Sequence, residues 1–191
     1  VVQHLVADNH EVFIIDNSTN YGIVPVSELA HLMEQRQIKI PGVFVYNVDM
    51  ANTLAVKDVI GNIKPDIIIH LASFPRQKVV NANPALASRV MSEGLLNLLE
   101  CCKEYGVRRI IYTSSSMVYG DFVDGVSEDA VCNPQGQYGI MKYMGEKLVE
   151  DYCRRTGMEY VIIRPSAVYG EWDVNDRVVS KFALAALCDR Q

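Results

Sequence analysis

Short apolar runs alternate with longer amphipathic stretches along most of the chain. Val1, Val2, Leu5 and Val6 share one helical face and read as the last turns of a helix, which a turn at residues 8–10 closes. Val12–Ile15 is an apolar run that ends in Asp16, Asn17 and Ser18, the pattern of a buried strand followed by a polar loop. A helix capped by Ser27 and reaching about Gln35 comes next, then a strand over 43–48 and a helix over about 52–62. The cycle repeats with a strand over 66–71, a long helix over about 84–105 with Gly106 at its C′ position, and a strand over 108–113. A helix over about 137–156 passes through Gly157 into a strand over 160–164 closed by Pro165, and Val178, Val179, Phe182, Leu184 and Leu187 pattern a last helix. Buried strands alternating with amphipathic helices predict an α/β fold with a doubly wound parallel sheet, covered on both faces.

Composition fits that picture. With 191 residues, 49% of them hydrophobic, the chain is long enough to bury one core, and no repeat or linker divides it. Eighteen basic against 23 acidic residues leave a net charge of −5, with no basic run to meet a phosphate backbone or an anionic lipid surface. Nucleic acid and membrane are therefore not expected partners, and the longest apolar runs fall far short of the roughly 20 residues that cross a bilayer. Five cysteines, an odd number without a C-x-x-C pair, point to a reducing cytoplasm. His4, His10, His31 and His70 are scattered, so each reads as a surface or satisfied core residue and no metal is expected. The chain opens without an initiator Met or an N-cap and stops inside a helical pattern, and so reads as a single domain truncated at both ends.

Candidate chemistry gathers at the carboxyl ends of the strands, where doubly wound folds hold their ligands. A carboxylate at Asp16 can accept both hydrogen bonds of an adenosine ribose and repel a 2′-phosphate, favouring NAD over NADP; it can equally cap its own loop. Asp49 and Met50 follow the next strand and suit either an adenine edge or the start of the helix at Asn52. Tyr138 and Lys142 stand four apart on one helical face. They come after the run Thr113-Ser114-Ser115-Ser116-Met117-Val118-Tyr119-Gly120 and before Arg164-Pro165-Ser166-Ala167-Val168-Tyr169-Gly170, each at a strand end.

In these three elements the chain resembles the NAD-dependent epimerase/dehydratase family of the extended short-chain dehydrogenase/reductase superfamily. The resemblance covers essentially the whole chain and implies a Rossmann-type sheet of order 3-2-1-4-5-6. The first strand, its glycine-rich loop and the C-terminal substrate domain are expected to be missing from this chain. What it implies for function is a nucleotide-sugar epimerase that transiently oxidises sugar C4. Tyr138 would be the general base, Lys142 the cation that favours its phenolate, and Ser115 a hydrogen-bond donor to the same substrate oxygen, with Ser114 and Ser116 capping the loop. The implied NAD contacts are Asp16, Asn17, Asp49, Met50, Leu71, Ala72, Ser73, Tyr138, Lys142 and Pro165. The implied partner is a nucleotide sugar, with a homodimer left open.

Departures from the family pattern narrow this reading. Ser116 and Met117 stand where family dehydratases carry an Asp-Glu acid pair, which favours an epimerase. Met91 and Ala167 replace asparagines of the usual substrate contacts, and Pro75 replaces a lysine of some epimerases. Arg76 and Lys78 either face a diphosphate or belong to a solvated charged loop. A reductase or dehydrogenase of the same fold is the alternative enzyme, and a noncatalytic dinucleotide sensor the alternative of another class.

Overall fold

The computed structural model describes residues 1–20, 40–121, 124–170 and 178–188. The chain forms two compact units, one of residues 1–14, 18–45 and 167–191 and the other of residues 15–17 and 46–166. In the first unit the described helices are α1 (Val2–Ala7) and, near the end of the chain, Val178–Leu187, here α7. The strands β1 (Val12–Ile15) and β2 (Val43–Tyr46) pair in a two-stranded sheet, with Phe13 stacked on Phe44 at 5.7 Å between ring centres. The strand expected over 43–48 therefore ends two residues early. The expected helix between Ser27 and Gln35 lies outside the described residues.

The second unit holds the parallel sheet. Its strands β3 (Ile67–His70), β4 (Arg109–Thr113) and β5 (Glu159–Ile163) lie in the order β3-β4-β5, with His70 opposite Tyr112 and Thr113 opposite Ile163. β-Branched residues fill them: Ile67 to Ile69, Ile110 and Ile111, then Val161 to Ile163. The strand neighbours are those that the order 3-2-1-4-5-6 gives for its strands 2 with 3 and 4 with 5 with 6. β4 is central and contributes Ile110 and Tyr112, both almost fully buried.

Helix α2 (Thr53–Ile63) begins at Asn52, whose side chain accepts the Ala55 amide, and ends on Lys64 in the left-handed region. It packs against α5 (Gly94–Tyr105) at Gly61, where a Cβ would come within 2.8 Å of the Tyr105 ring. Between them and the sheet lies the core of Val56, Ile60, Leu95, Leu98, Leu99, Ile110, Tyr112 and Val149. Leu95 and Leu99 are wholly buried, and truncating either to alanine removes about 2–5 kcal/mol.

The long helix expected over 84–105 is one helical run with a fault in it. α4 (Pro84–Ser88) passes through a π-helical turn at Arg89–Glu93 into α5, which ends on Gly106 as expected. Before it stands a helix that apolar periodicity did not reveal, α3 (Gln77–Ala82), which buries Val79 and Val80. The charged segment of Arg76 and Lys78 is thus the start of a helix rather than a loop: Arg76 is its N-cap residue and half-buried, and Lys78 is exposed.

Candidate active site

The site is built on α6 (Gly136–Thr156), which runs from the segment after Pro134 to a left-handed Gly157. Two glycines let this helix lie close to β4 and to the 3₁₀ turn Ser116–Tyr119. A Cβ on Gly139 would sit 2.7 Å from the Met117 carbonyl oxygen, and one on Gly145 would collide with the Tyr112 hydroxyl. The turn itself ends on Gly120, at a φ of +75° and with the Asn133 carbonyl where a Cβ would project.

That closeness brings Lys142 onto the end of β4. Its ammonium donates to the Thr113 carbonyl at 2.7 Å, while the Tyr112 hydroxyl donates to the Lys142 carbonyl at 3.4 Å. Only 3% of Lys142 is exposed, and burial pulls its ammonium down from 10.5 to about 8. Nζ lies 5.9 Å from the Tyr138 ring centre and 5.5 Å from that of Tyr112, within the range where an aromatic ring attracts a cation. Tyr138 and Lys142 therefore stand side by side, as their spacing predicts. Ser115 sits at the adjoining end of β4, 8% exposed, and its Oγ accepts the Met117 amide at 3.2 Å.

Here the structure departs from the expected division of labour among the serines. Ser115, not its neighbours, caps the turn, because its extended backbone points Oγ at the second following amide. Ser114 Oγ is buried, with no hydrogen-bond partner among the described residues. The backbone around them is fixed by the strand beyond: the Ser114 amide donates to Ile163 O at 2.8 Å and the Ser116 amide to Pro165 O at 2.9 Å. Pro165, one of the expected cofactor contacts, thus anchors the serine run.

Three further residues shape the site, and the sequence assigned none of them a role there. Glu146, fully buried one turn beyond Lys142, accepts both arms of Arg164, at 2.9 Å from Nε and 2.8 Å from Nη2. Arg164 also donates to the Tyr119 hydroxyl at 3.0 Å and the Glu128 carbonyl at 2.9 Å, and the Glu146 carboxylate first, then Tyr119, drive its guanidinium pKa further up. The i, i+4, i+8 series Tyr138, Lys142, Glu146 was the signal that could have found the pair. His70, at the end of β3, is 4% exposed beside the Tyr112 ring, and among the described residues neither ring nitrogen has a hydrogen-bond partner. The expectation of a satisfied core histidine fails there. Burial first, then the Lys142 charge, hold it neutral, down from 6.5 to about 4.

The remaining expected cofactor contacts lie at strand ends in varied settings. Asp16 and Asn17 directly follow β1; Asp16 is exposed and its amide donates to Tyr46 O at 3.0 Å. Asp49 Oδ1 accepts the Ala51 amide at 2.9 Å, in the turn before α2. Met50 is buried against Gly94, and its carbonyl accepts from Asn97 at 3.3 Å. After β3, Leu71 is exposed, Ala72 packs on the core, and Ser73 Oγ donates to Phe74 O at 3.0 Å. Among the described residues no group of His, Cys, Asp and Glu is placed to hold a metal. None of the described helices is long and apolar enough to cross a membrane.

Over residues 1–189 the chain matches the NAD dependent epimerase/dehydratase family. It belongs to that family. Its fold is Rossmann-like, and superposes with a TM-score of 0.79 on a UDP-glucose 4-epimerase of Thermus thermophilus in complex with NAD, 26% identical, over 97% of this chain and 56% of the other. On a UDP-glucuronic acid 4-epimerase of Bacillus cereus, in complex with UDP-glucuronic acid and NAD, the TM-score is 0.83 at 25% identity, over 98% of this chain and 59% of the other. A D-erythronate dehydrogenase of Cupriavidus necator is 36% identical over 99 residues, which are 51% of this chain and 30% of the relative. The chain spans about half the length of the relatives that it matches along most of its own length.

Proposed function

We propose that the whole protein is an NAD-dependent nucleotide-sugar 4-epimerase, with Tyr138 as its acid/base, Lys142 as the fixed cation beside it and Ser115 as a donor to the substrate oxygen. The observation that carries this reading is the grip of β4 on Lys142, which holds a buried ammonium 5.9 Å from the Tyr138 ring.

The donor set fits a dinucleotide. Among the described residues one of the three Lys142 ammonium hydrogens is committed, to Thr113, which leaves two for ribose hydroxyls. Ser114 Oγ is buried and unpartnered among the described residues at the same strand end, and Asp16 carries an exposed carboxylate directly after β1, where an adenosine ribose would need acceptors. Lys142, Asp16, Asn17 and the Leu71-Ala72-Ser73 turn are the residues assigned to hold NAD. When bound, NAD supplies the acceptor, and then the donor, of the C4 hydride.

The protein's own residues handle the proton. An unperturbed phenol near pKa 10 is a poor base at neutral pH, and a cation close by favours its phenolate. With an ammonium pKa of about 8, Lys142 stays mostly charged at neutral pH. Tyr138 takes the proton of the C4 hydroxyl and later returns it. Ser115 Oγ accepts from Met117 and keeps its own hydrogen to donate to the C4 oxygen. Ser116 and Met117, in place of a dehydratase acid pair, leave no carboxyl there to expel water. The five free thiols suit a cytoplasmic setting.

The similarity to a dehydrogenase over half of the chain favours a second reading, an oxidoreductase of the same chemistry that consumes its cofactor. Incubating the whole protein with UDP-sugars and added NAD, and following C4 inversion by proton NMR beside the absorbance at 340 nm, separates the two. Inversion without net change in absorbance at 340 nm supports the epimerase; stoichiometric cofactor turnover supports the dehydrogenase.

A further inference from the structure

We infer that Gln77 is a positioning residue for Tyr138: its side-chain amide takes the place of a missing N-cap and fixes the start of the helix that carries the phenol. The inference rests on Tyr138 being the acid/base.

A helix leaves its first amides without acceptors inside the helix, and a side chain at the N-cap ordinarily receives one of them. α6 lacks that device. Gln135, its N-cap residue, makes no capping bond, and its side chain donates instead to Asp121 at 2.9 Å. Gly136, the first helical residue, has no side chain to offer. The amide of the third, Tyr138 itself, donates to Gln77 Oε1 at 3.2 Å, from a residue 61 positions earlier in the chain.

Gln77 is oriented for this task. Its Nε2 donates to Asn81 Oδ1 at 3.0 Å, one turn on along α3, so the amide presents its oxygen to Tyr138. α3 packs against α6 and buries Val79 and Val80, which keeps Gln77 from drifting. Space is reserved as well. A Cβ on Gly136 would collide with the Gln77 amide, and Gly136 adopts a φ of +71°, which side chains rarely tolerate.

The consequence is local. Because the bond is made to the backbone of Tyr138, it fixes the point from which the phenol projects, without touching substrate. Gln77 also lies four residues beyond Ser73, so the segment assigned to hold the cofactor and the start of the catalytic helix are pinned to each other.

The test compares Gln77→Ala and Gln77→Glu in the whole protein, each alone and in a Tyr138→Phe background. Amide hydrogen exchange and steady-state kinetics are measured on every variant. Glu keeps an acceptor at the same place and Asn81 can turn its amide to donate, whereas Ala removes the acceptor. In Gln77→Ala, exchange at the Tyr138 amide is expected to rise about fivefold to tenfold while the middle of α6 stays protected. kcat falls about tenfold at nearly constant KM, since a displaced catalytic group costs rate rather than binding. Gln77→Glu restores both, and Gln77→Ala costs nothing further once the phenol is gone. Unchanged exchange, an equal loss in Gln77→Glu, or a loss that persists in the Tyr138→Phe background overturns the proposal. Full turnover in Tyr138→Phe alone removes the acid/base reading itself; a dead Tyr138→Phe with an unaffected Gln77→Ala removes only the role of Gln77.

Discussion

Lys142 is held at both ends by adjacent residues of one strand: Thr113 receives its ammonium and Tyr112 donates to its carbonyl. A side chain so fixed cannot swing away from Tyr138, and the rest of the site is arranged around it. The cost is a buried cation. The folded-state value of about 8 lies below the ordinary 10.5, so folding carries a penalty at every pH under about 8 that fades as pH rises toward 10.5.

Replacing Lys142 by Met is therefore expected to stabilise the protein and disable it together. Removing the penalty adds up to about 3 kcal/mol near pH 7, and the rise in wild-type stability between pH 8 and 10.5 disappears. Denaturant melts across that range, set beside NAD titrations, check it; a Lys142→Met variant that keeps full activity rules out the cation's role.

Tyr138→Phe keeps the ring and deletes the oxygen. Turnover should drop about 10²- to 10⁴-fold with NAD affinity nearly intact. Isothermal calorimetry and the NMR inversion assay measure the two halves separately.

His70 shows the same sign of linkage at lower pH. Its folded-state value, about 4, lies below the unfolded 6.5, so its contribution is complete above pH 6.5 and is lost as pH falls toward 4. Across that interval it removes about 3 kcal/mol. His70→Leu should flatten this part of the acid limb, and urea midpoints at pH 4.5 and 7 show whether it does.

Much of this was legible in the sequence, and the exceptions share a cause. Strands and long helices follow from apolar periodicity, and the Tyr138–Lys142 pair from its spacing on one helix face, because both depend on neighbours along the chain. α3 escaped because six residues behind Pro75 and Arg76 are too few to show a period. Glu146 reads as one more helix charge, and Arg164 as the end of a strand, until α6 packs against the end of β5 and pairs them. Whether His70 has partners depends on which side chains arrive at the end of β3, which spacing does not encode.

The Glu146–Arg164 pair should show the asymmetry of buried ion pairs. Glu146→Ala leaves a mostly buried guanidinium without its partner, for a loss of about 3–5 kcal/mol. Replacing both by apolar residues of similar volume is expected to cost much less. Thermal melts of the two single variants and the double variant test this, and additive losses would contradict it.

Cofactor preference should follow Asp16. NAD is expected to bind more tightly than NADP, and Asp16→Ser should narrow the gap about tenfold by removing a charge that repels a 2′-phosphate. Paired titrations decide, and an unchanged ratio means that Asp16 does not face the ribose.

The π-helical turn at Arg89–Glu93 has a meaning for the gene as much as for the protein. Such a turn is a helix carrying one surplus residue, absorbed by a widened loop of backbone while the stretches on either side keep their phase. The surplus can be removed. Excising a single codon there is expected to leave an uninterrupted α-helix with Ala87 and Leu95 still facing inward, whereas the same excision inside α5 would rotate every following side chain by about 100° away from the core. This short segment is where the reading frame of the core can lose a residue without losing its register.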